Sequence, residues 1–513
     1  MAWAALAPEL ILAAASLLLL LAVSAGGRAA GEVQIRWGGA TAFIFGVALL
    51  ALVPGLGVRA DLWSGMLSLD PFAALFRGMF LAAGLLVALV SMDFLRQRAG
   101  GRGEYWPLLV WGVLGMMLMA SSRDLLMIYL GLELVSLCSY VLAGYLKEDA
   151  RAVEAAIKYF LAGAVASAVL LFGISLLYGV AGSTSLDAIA RAISGAGAAA
   201  AGGAGAAALG YAALVFLVAG FGFKVAAAPL HMWAPDAYEG APTPITAFFS
   251  VGPKAAAFAA LVRVFFTGLG DLRQEWAFAF AVLAVLSMFV GNLSALPQKN
   301  IKRMMAYSAI AHAGYILVGL AVGTPMGSRA VAYYLLAYLF ANLGAFAVIV
   351  AVSARGEEIA DYTGLARRWP LLAWGMVVYF LSLIGIPPTA GFFGKFYLFS
   401  AALEKGQVWL ALVMVVNSVI SVGYYYGVVR QMFLAGEAPG AAPVGGGTGP
   451  AGPACTVPVT GDAGVMGGGP AAAGRPCPAV SAVVVATAIL TLIIGIGFER
   501  FLAWAAVATA VLP

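Results

Sequence analysis

Residues 220–231 read GFGFKVAAAPLH. They close an apolar run long enough to cross a bilayer (209–228) and place Lys224 inside it, with two glycines just before and Pro229 just after. Glycine weakens a helix, and proline removes a backbone donor and clashes with the preceding turn. A charge at mid-helix costs about 2.5–3.5 kcal/mol on insertion scales. A lysine in a deliberately loosened span is the pattern of a broken helix lining an ion path. That reading decides how the rest of the chain is laid out.

The composition agrees with it. Of 513 residues, 63% are apolar and 10% charged, and the mean hydropathy is +0.99. So little polar surface cannot cover a water-facing shell, which excludes an ordinary soluble domain. The net charge of +5 is spread over loops and does not suggest nucleic-acid binding. Three cysteines without CxxC spacing and only two histidines make a metal or redox centre held by this chain an unexpected feature. No phosphate-binding loop is present and no GxGxxG follows a strand. The first apolar run, Ala7 to Val23, lacks a basic leader and is read as a retained helix.

A hydrocarbon core of about 30 Å takes about 20 apolar residues per helix. That ruler predicts an all-α polytopic membrane protein of about 14 transmembrane helices. The twelfth run, 371–402, carries GIPPTAG (385–391) in its middle, where two adjacent prolines break the helix. AGFGFK (219–224) in span seven resembles AGFFGK (390–395) in span twelve. Paired Gly/Pro-interrupted spans are the signature of transporter repeats. The offset of five spans predicts two inverted five-helix repeats, spans 4–8 and 9–13, with helices 7 and 12 broken. The expected organisation is an N-terminal three-helix segment (1–105), the first repeat (106–267), the second (276–434), a disordered Gly/Pro-rich loop (435–478), and a C-terminal helix and tail (479–513). The Ala/Gly run at 192–208 also reads as a linker. Lys/Arg bias of the loops puts both termini on the outer face, with Arg96, Arg98, Lys299, Lys302, Arg367 and Arg368 inside.

Several ionisable residues fall inside spans. Glu133 in LGLELVSLCSY is too deep to reach water, so it is protonated or paired within the bundle. Lys224 and Lys254 each neighbour a proline, and Lys395 follows GIPPTAG. His312 reads either as a hydrogen-bonded core residue or as a titrating group, with Ser308 and Tyr315 one turn away. Lys158 forms either an ordinary i,i+4 pair with Glu154 or a partner beside Glu133. His231 and Asp236 fall just past span seven. Arg77, Arg263 and Arg430 stand near span ends and are expected to snorkel. Glu133, Lys254, His312 and Lys395 share a depth near mid-membrane, and Lys224 joins them if its helix resumes past Pro229. Such a row carries protons most naturally.

At these residues the chain resembles a known family. LGLELVSLCSYVLAGYLKEDARAVEAAIKYFLAG, FGFKVAAAPLHMWAPDAYEGAPTP, LPQKNIKRMMAYSAIAHAGYILVGL and GIPPTAGFFGKFYLF resemble the antiporter-like membrane subunits of bacterial respiratory NADH–quinone oxidoreductase (complex I), subunit N among them. The fourteen-span length and the lysine after GIPPTAGFFG are similar to N, whereas subunit L carries a long lateral helix and M a glutamate at that place. The resemblance implies proton translocation by Glu133, Lys224, Lys254, His312 and Lys395, with Lys158 and His231 secondary. It implies quinone reduction by NADH in other subunits, with FMN and iron–sulfur clusters there and no cofactor here. Its implied partners are subunit M, the small membrane subunits, the lipid bilayer and protons, in a bacterial inner membrane. A subunit of a multisubunit sodium/proton antiporter is the alternative.

Overall fold

The computed structural model describes residues 5–25, 31–98, 103–194, 204–353, 356–433 and 478–512. The loop expected at 435–478 lies almost wholly outside the described residues, as does 195–203 of the Ala/Gly run. Among the described residues twelve helices are long and apolar enough to cross a membrane, and two shorter apolar helices, Tyr105–Ser121 and Pro370–Ile384, complete the expected set.

The N-terminal helices are α1 (Ala7–Ala25), α2 (Gly31–Leu52) and α3 (Pro71–Arg98). Between α2 and α3 a two-stranded antiparallel ribbon pairs β1 (Ala60–Leu62) with β2 (Leu67–Leu69), Ala60 opposite Leu69. Next come α4 (Tyr105–Ser121), α5 (Leu125–Ala143), α6 (Ala150–Ala181), α7 (Ala204–Lys224), the short α8 (Trp233–Gly240) and α9 (Thr243–Arg263). The second set is α10 (Arg273–Ala295), α11 (Ile301–Val322), α12 (Pro325–Val352), α13 (Pro370–Ile384), α14 (Ala390–Glu404) and α15 (Val408–Phe433). The chain closes with α16 (Pro478–Ile496) and α17 (Phe498–Thr509).

The two sets use the same packing device. A Cβ on Gly115 of α4 would lie 2.9 Å from the Gly131 carbonyl of α5, and one on Gly131 would lie 3.0 Å from the Gly115 carbonyl. In the second set a Cβ on Gly291 of α10 would meet the Tyr307 carbonyl at 2.7 Å, and one on Gly314 of α11 the Ala284 carbonyl at 2.8 Å. Without a hydrophobic force between helices in lipid, close backbone approach at small residues supplies the contact.

Spans seven and twelve are both broken. After Lys224 the Ala226 N–H bonds to the Phe223 carbonyl and the Ala227 N–H to the Gly222 carbonyl, with Ala226 left-handed at φ 58°. This is a Schellman ending, which satisfies orphan carbonyls at a helix end. The Trp233 indole caps the Phe223 carbonyl as well, at 3.0 Å. The second break ends α13 at Gly385, φ 92°. Lys224 is the last residue before the first break, whereas Lys395 is the sixth residue after the second. The echo between 219–224 and 390–395 therefore does not align break with break. Proline does not interrupt every span: α9 runs through Pro253 as one helix.

At the second break Gly391 seats its backbone on Ser382, and its N–H donates to the Ser382 hydroxyl at 3.0 Å. A Cβ on Gly391 would clash with the Ser382 carbonyl. Gly391→Ala is expected to cost about 1–3 kcal/mol, as overpacking does, and to lower the thermal midpoint of the purified assembly. Gly39→Ala, where a Cβ meets nothing within 4 Å, is the control that leaves it unchanged.

Arg77 and Arg263 do not snorkel. Arg77 is buried against Glu9 of α1 and the Ala5 carbonyl. Arg263 grips Asp70 with two bonds, 2.8 and 3.0 Å, and the Ala120 carbonyl at 2.7 Å. Each found a partner on a distant helix in place of the headgroups.

Candidate functional site

The titratable residues expected at mid-membrane come together along one line. Lys254 is the twelfth residue of α9 and His312 the twelfth of α11, so each stands about 16 Å along its helix. Both helices start at the same end of the molecule, because Lys302 of α11 donates to the Ala241 carbonyl just before α9 at 2.9 Å. Lys254 is 3% and His312 1% exposed.

The line begins at Glu133 on α5. Its Oε1 is buried without a hydrogen-bond partner. No ion pair within 4 Å joins it to Lys224, although its charge acts on that lysine. The Lys224 ammonium instead donates to Ser136 at 2.9 Å and Ser167 at 3.1 Å. Ser136 sits one turn after Glu133 and so shares its face of α5. Two hydroxyls hold the ammonium while the carboxylate stands off, an arrangement in which the ion pair can open and close.

Lys224 and Lys254 line one cavity with Ser136, Tyr159, Tyr238 and Phe249; its volume is about 20 Å³. A single water needs about 10–15 Å³, so the space between the lysines admits one. Lys254 donates to the Ala309 carbonyl at 2.7 Å, one turn before His312. A charged group at this depth needs such polar contacts in place of water.

His312 is held by two tyrosines. Its Nδ1 is 2.6 Å from the Tyr334 hydroxyl and its Nε2 3.2 Å from that of Tyr425. Ser308 bonds to Tyr425 in turn. Beyond them Lys395 lies over the Tyr315 ring, 4.4 Å from its centre. Its ammonium donates to the Ile384 carbonyl at 2.9 Å, freed at the second break, and to Ser418 at 3.2 Å. Asn292 joins Tyr315 to Asn417, both at 3.2 Å. Tyr334, Tyr425, Ser136, Ser167, Asn292 and Asn417 were not singled out in the sequence. Their one signal is spacing, since Ser136 lies three residues from Glu133.

The two secondary residues stand apart. Lys158 does not pair with Glu133. It is half-exposed, bound to Glu154 at 2.7 Å and to Asp236 of α8 at 3.0 Å. Arg303 of α11 binds the same Asp236 and Glu239, each at 2.8 Å. This cluster ties α6 and α11 to the half-helix beyond the first break. His231 is buried in that break with Nδ1 unpartnered, and it does not line the cavity between the lysines. Exposed pairs contribute at most about 1 kcal/mol. Lys158→Ala is therefore expected to leave ion transport above half its normal rate in a vesicle assay. Among the described residues no group of three or more His, Cys, Asp or Glu could hold a metal.

The chain is similar to known proteins over most of its length. The family described as NADH:quinone oxidoreductase/Mrp antiporter, transmembrane region, matches residues 122–421, which hold all five residues of the line. The chain is 49% identical to NADH-quinone oxidoreductase subunit N 2 of Symbiobacterium thermophilum, over 84% of this chain and 88% of that protein. It is 47% identical to subunit N of Trichlorobacter lovleyi, over 75% and 78%. Among solved structures it resembles a chain of respiratory complex I from Thermus thermophilus with bound aureothin: TM-score 0.76, 34% identity, 97% of this chain and 99% of that one. It also resembles a chain of the Mrp complex of a Dietzia species: TM-score 0.82, 25% identity, 100% and 98%.

Proposed function

The chain belongs to the NADH:quinone oxidoreductase/Mrp antiporter transmembrane family, and from that premise we propose how it works as a proton-translocating membrane subunit of NADH–quinone oxidoreductase, of the subunit N type. The proton path is the line Glu133, Lys224, Lys254, His312, Lys395. One observation carries this: Lys224 and Lys254, from either side of the first break, share a single water-sized cavity.

The Mrp-like backbone match is the better of the two by TM-score, which measures a fold both assemblies share. Sequence identity separates them and favours the oxidoreductase. A sodium/proton antiporter subunit is the second reading, and sodium-dependent transport by the purified assembly would favour it.

NADH oxidation and quinone reduction take place in other subunits, where FMN and iron–sulfur clusters reside. Their effect reaches this subunit as a change in Glu133–Lys224 distance. With the carboxylate close, the Lys224 ammonium is stabilised. With it withdrawn, two serine hydroxyls alone support the charge, and the proton moves on through the cavity water to Lys254, His312 and Lys395. The two five-span sets, α4–α9 and α10–α15, each counting its broken span once, are the inverted repeats. By the rule that Lys and Arg gather on the inner side, Lys158, Lys302 and Arg303 are assigned to the inner face of a bacterial inner membrane, with both termini outside. Its partners there include subunit M and the small membrane subunits.

Glu133→Ala is expected to assemble and to lose proton pumping driven by NADH in vesicles. Normal pumping by the assembled variant contradicts the role given to this carboxylate.

A further inference from the structure

We propose that Tyr338 and Asn342 of α12 hold an ordered water against Lys254, and that this water is the step by which a proton crosses from the first repeat to the second. The inference rests on the proton-translocating reading above and adds two residues to it.

Tyr338 is 3% and Asn342 1% exposed. The Tyr338 hydroxyl and the Asn342 Oδ1 both lack a hydrogen-bond partner. They are four residues apart on one helix and share a face. A buried polar atom without a partner is costly, and native proteins satisfy it with protein or with water.

The Asn342 amide nitrogen donates to the Ser250 hydroxyl at 2.6 Å, and that hydroxyl donates to the Ala247 carbonyl at 2.7 Å. The oxygen is left as a free acceptor. Ser250 lies one turn before Lys254 on α9, so the bond sets Asn342 one helical turn, about 6 Å, from the level of that lysine. An ammonium has three donors, and Lys254 spends one on the Ala309 carbonyl.

Tyr338 stands between the two halves of the line. Its ring is 5.1 Å from that of His312. The tyrosines acting on its hydroxyl are Tyr238, Tyr425 and Tyr334. Tyr238 lines the cavity of Lys224 and Lys254, and the other two bond to His312. A free ammonium donor, an amide oxygen and a phenol supply the roughly three partners a buried water takes. In the step, an N–H bond of Lys254 breaks as an O–H bond of the water forms. The water passes a different proton to the Tyr338 oxygen, whose hydroxyl, unpartnered at rest, turns to the Tyr334 oxygen and releases its own proton there, and Tyr334 passes one of its own to His312 Nδ1, to which it is bonded. Water and phenol end neutral, and one proton has moved.

The test compares Tyr338→Phe with Lys254→Met in the assembled complex in vesicles, reading NADH-driven pumping in H2O and D2O. Tyr338→Phe keeps the ring and is expected to slow pumping about 100-fold, at the low end of what a positioned proton-transfer group contributes, with a larger solvent isotope effect. A purely packing role would leave that isotope effect unchanged. Wild-type pumping in Tyr338→Phe beside lost pumping in Lys254→Met overturns this inference alone. Normal pumping in Lys254→Met overturns the proton line itself. If Tyr338→Phe does not assemble, Asn342→Leu carries the same expectation. If neither assembles, a map of the unmodified complex decides: water within hydrogen-bond reach of both side chains supports the proposal, and dry contact overturns it.

Discussion

Lys254→Met is expected to abolish pumping through this subunit, by about 100-fold or more, while the complex assembles at least as well as before. The two halves of that result come from one fact. Lys254 is a buried ammonium bound to a backbone carbonyl, and among the described residues no carboxylate lies within ion-pair distance. Such a charge is held at a cost, so methionine of similar volume relieves the fold. Yet Lys254 is also the titratable side chain that shares a cavity with Lys224 and touches the turn before His312. Removing it opens a gap of more than one side chain in a file whose water space is about 20 Å³. A merely structural lysine would give the opposite pattern, weaker assembly with pumping per complex unchanged. Pumping and thermal stability measured on the same vesicle preparation separate the two.

Arg263→Met is expected to show that opposite pattern. The guanidinium is 3% exposed and its two bonds neutralise Asp70, which is 7% exposed. Asp70 also accepts from the Ala73 N–H at 2.8 Å, capping α3. Methionine leaves the carboxylate buried and unpaired, which costs about 3–5 kcal/mol. Assembly should fall sharply, seen as lost complex on a native gel and a lower unfolding temperature. Adding Asp70→Asn should recover part of the loss, since the amide keeps the cap without the charge. Pumping per assembled complex should stay normal, because Asp70 and Arg263 lie off the Lys254–His312 level, at the far end of α9.

The contrast between these residues explains what could be read in the sequence. Glu133, Lys254, His312 and Lys395 were legible because a charge deep in an apolar run has few physical reasons to exist. Arg77 and Arg263 were misread. Their distance from a span end resembles that of a snorkelling arginine, and their partners lie 68 and 193 residues away in the chain, beyond any local pattern. Both helix breaks were legible from Pro and Gly. The likeness of AGFGFK to AGFFGK picked out the two broken spans but not their register, because one stretch ends a half-helix and the other begins one. Tyr334, Tyr338, Asn342 and Tyr425 were invisible. Hydroxyls and amides are common in membrane helices, and only the fold reveals that the three tyrosines surround a histidine.

The most direct measurement is a map of the assembled complex sharp enough to place ordered water between α5 and α15. Lateral proton transfer requires water or a direct hydrogen bond at every gap from Lys224 through Lys254 and His312 to Lys395, with one water in the cavity shared by the two lysines. Dry apolar packing between Lys224 and Lys254, or between His312 and Lys395, contradicts it.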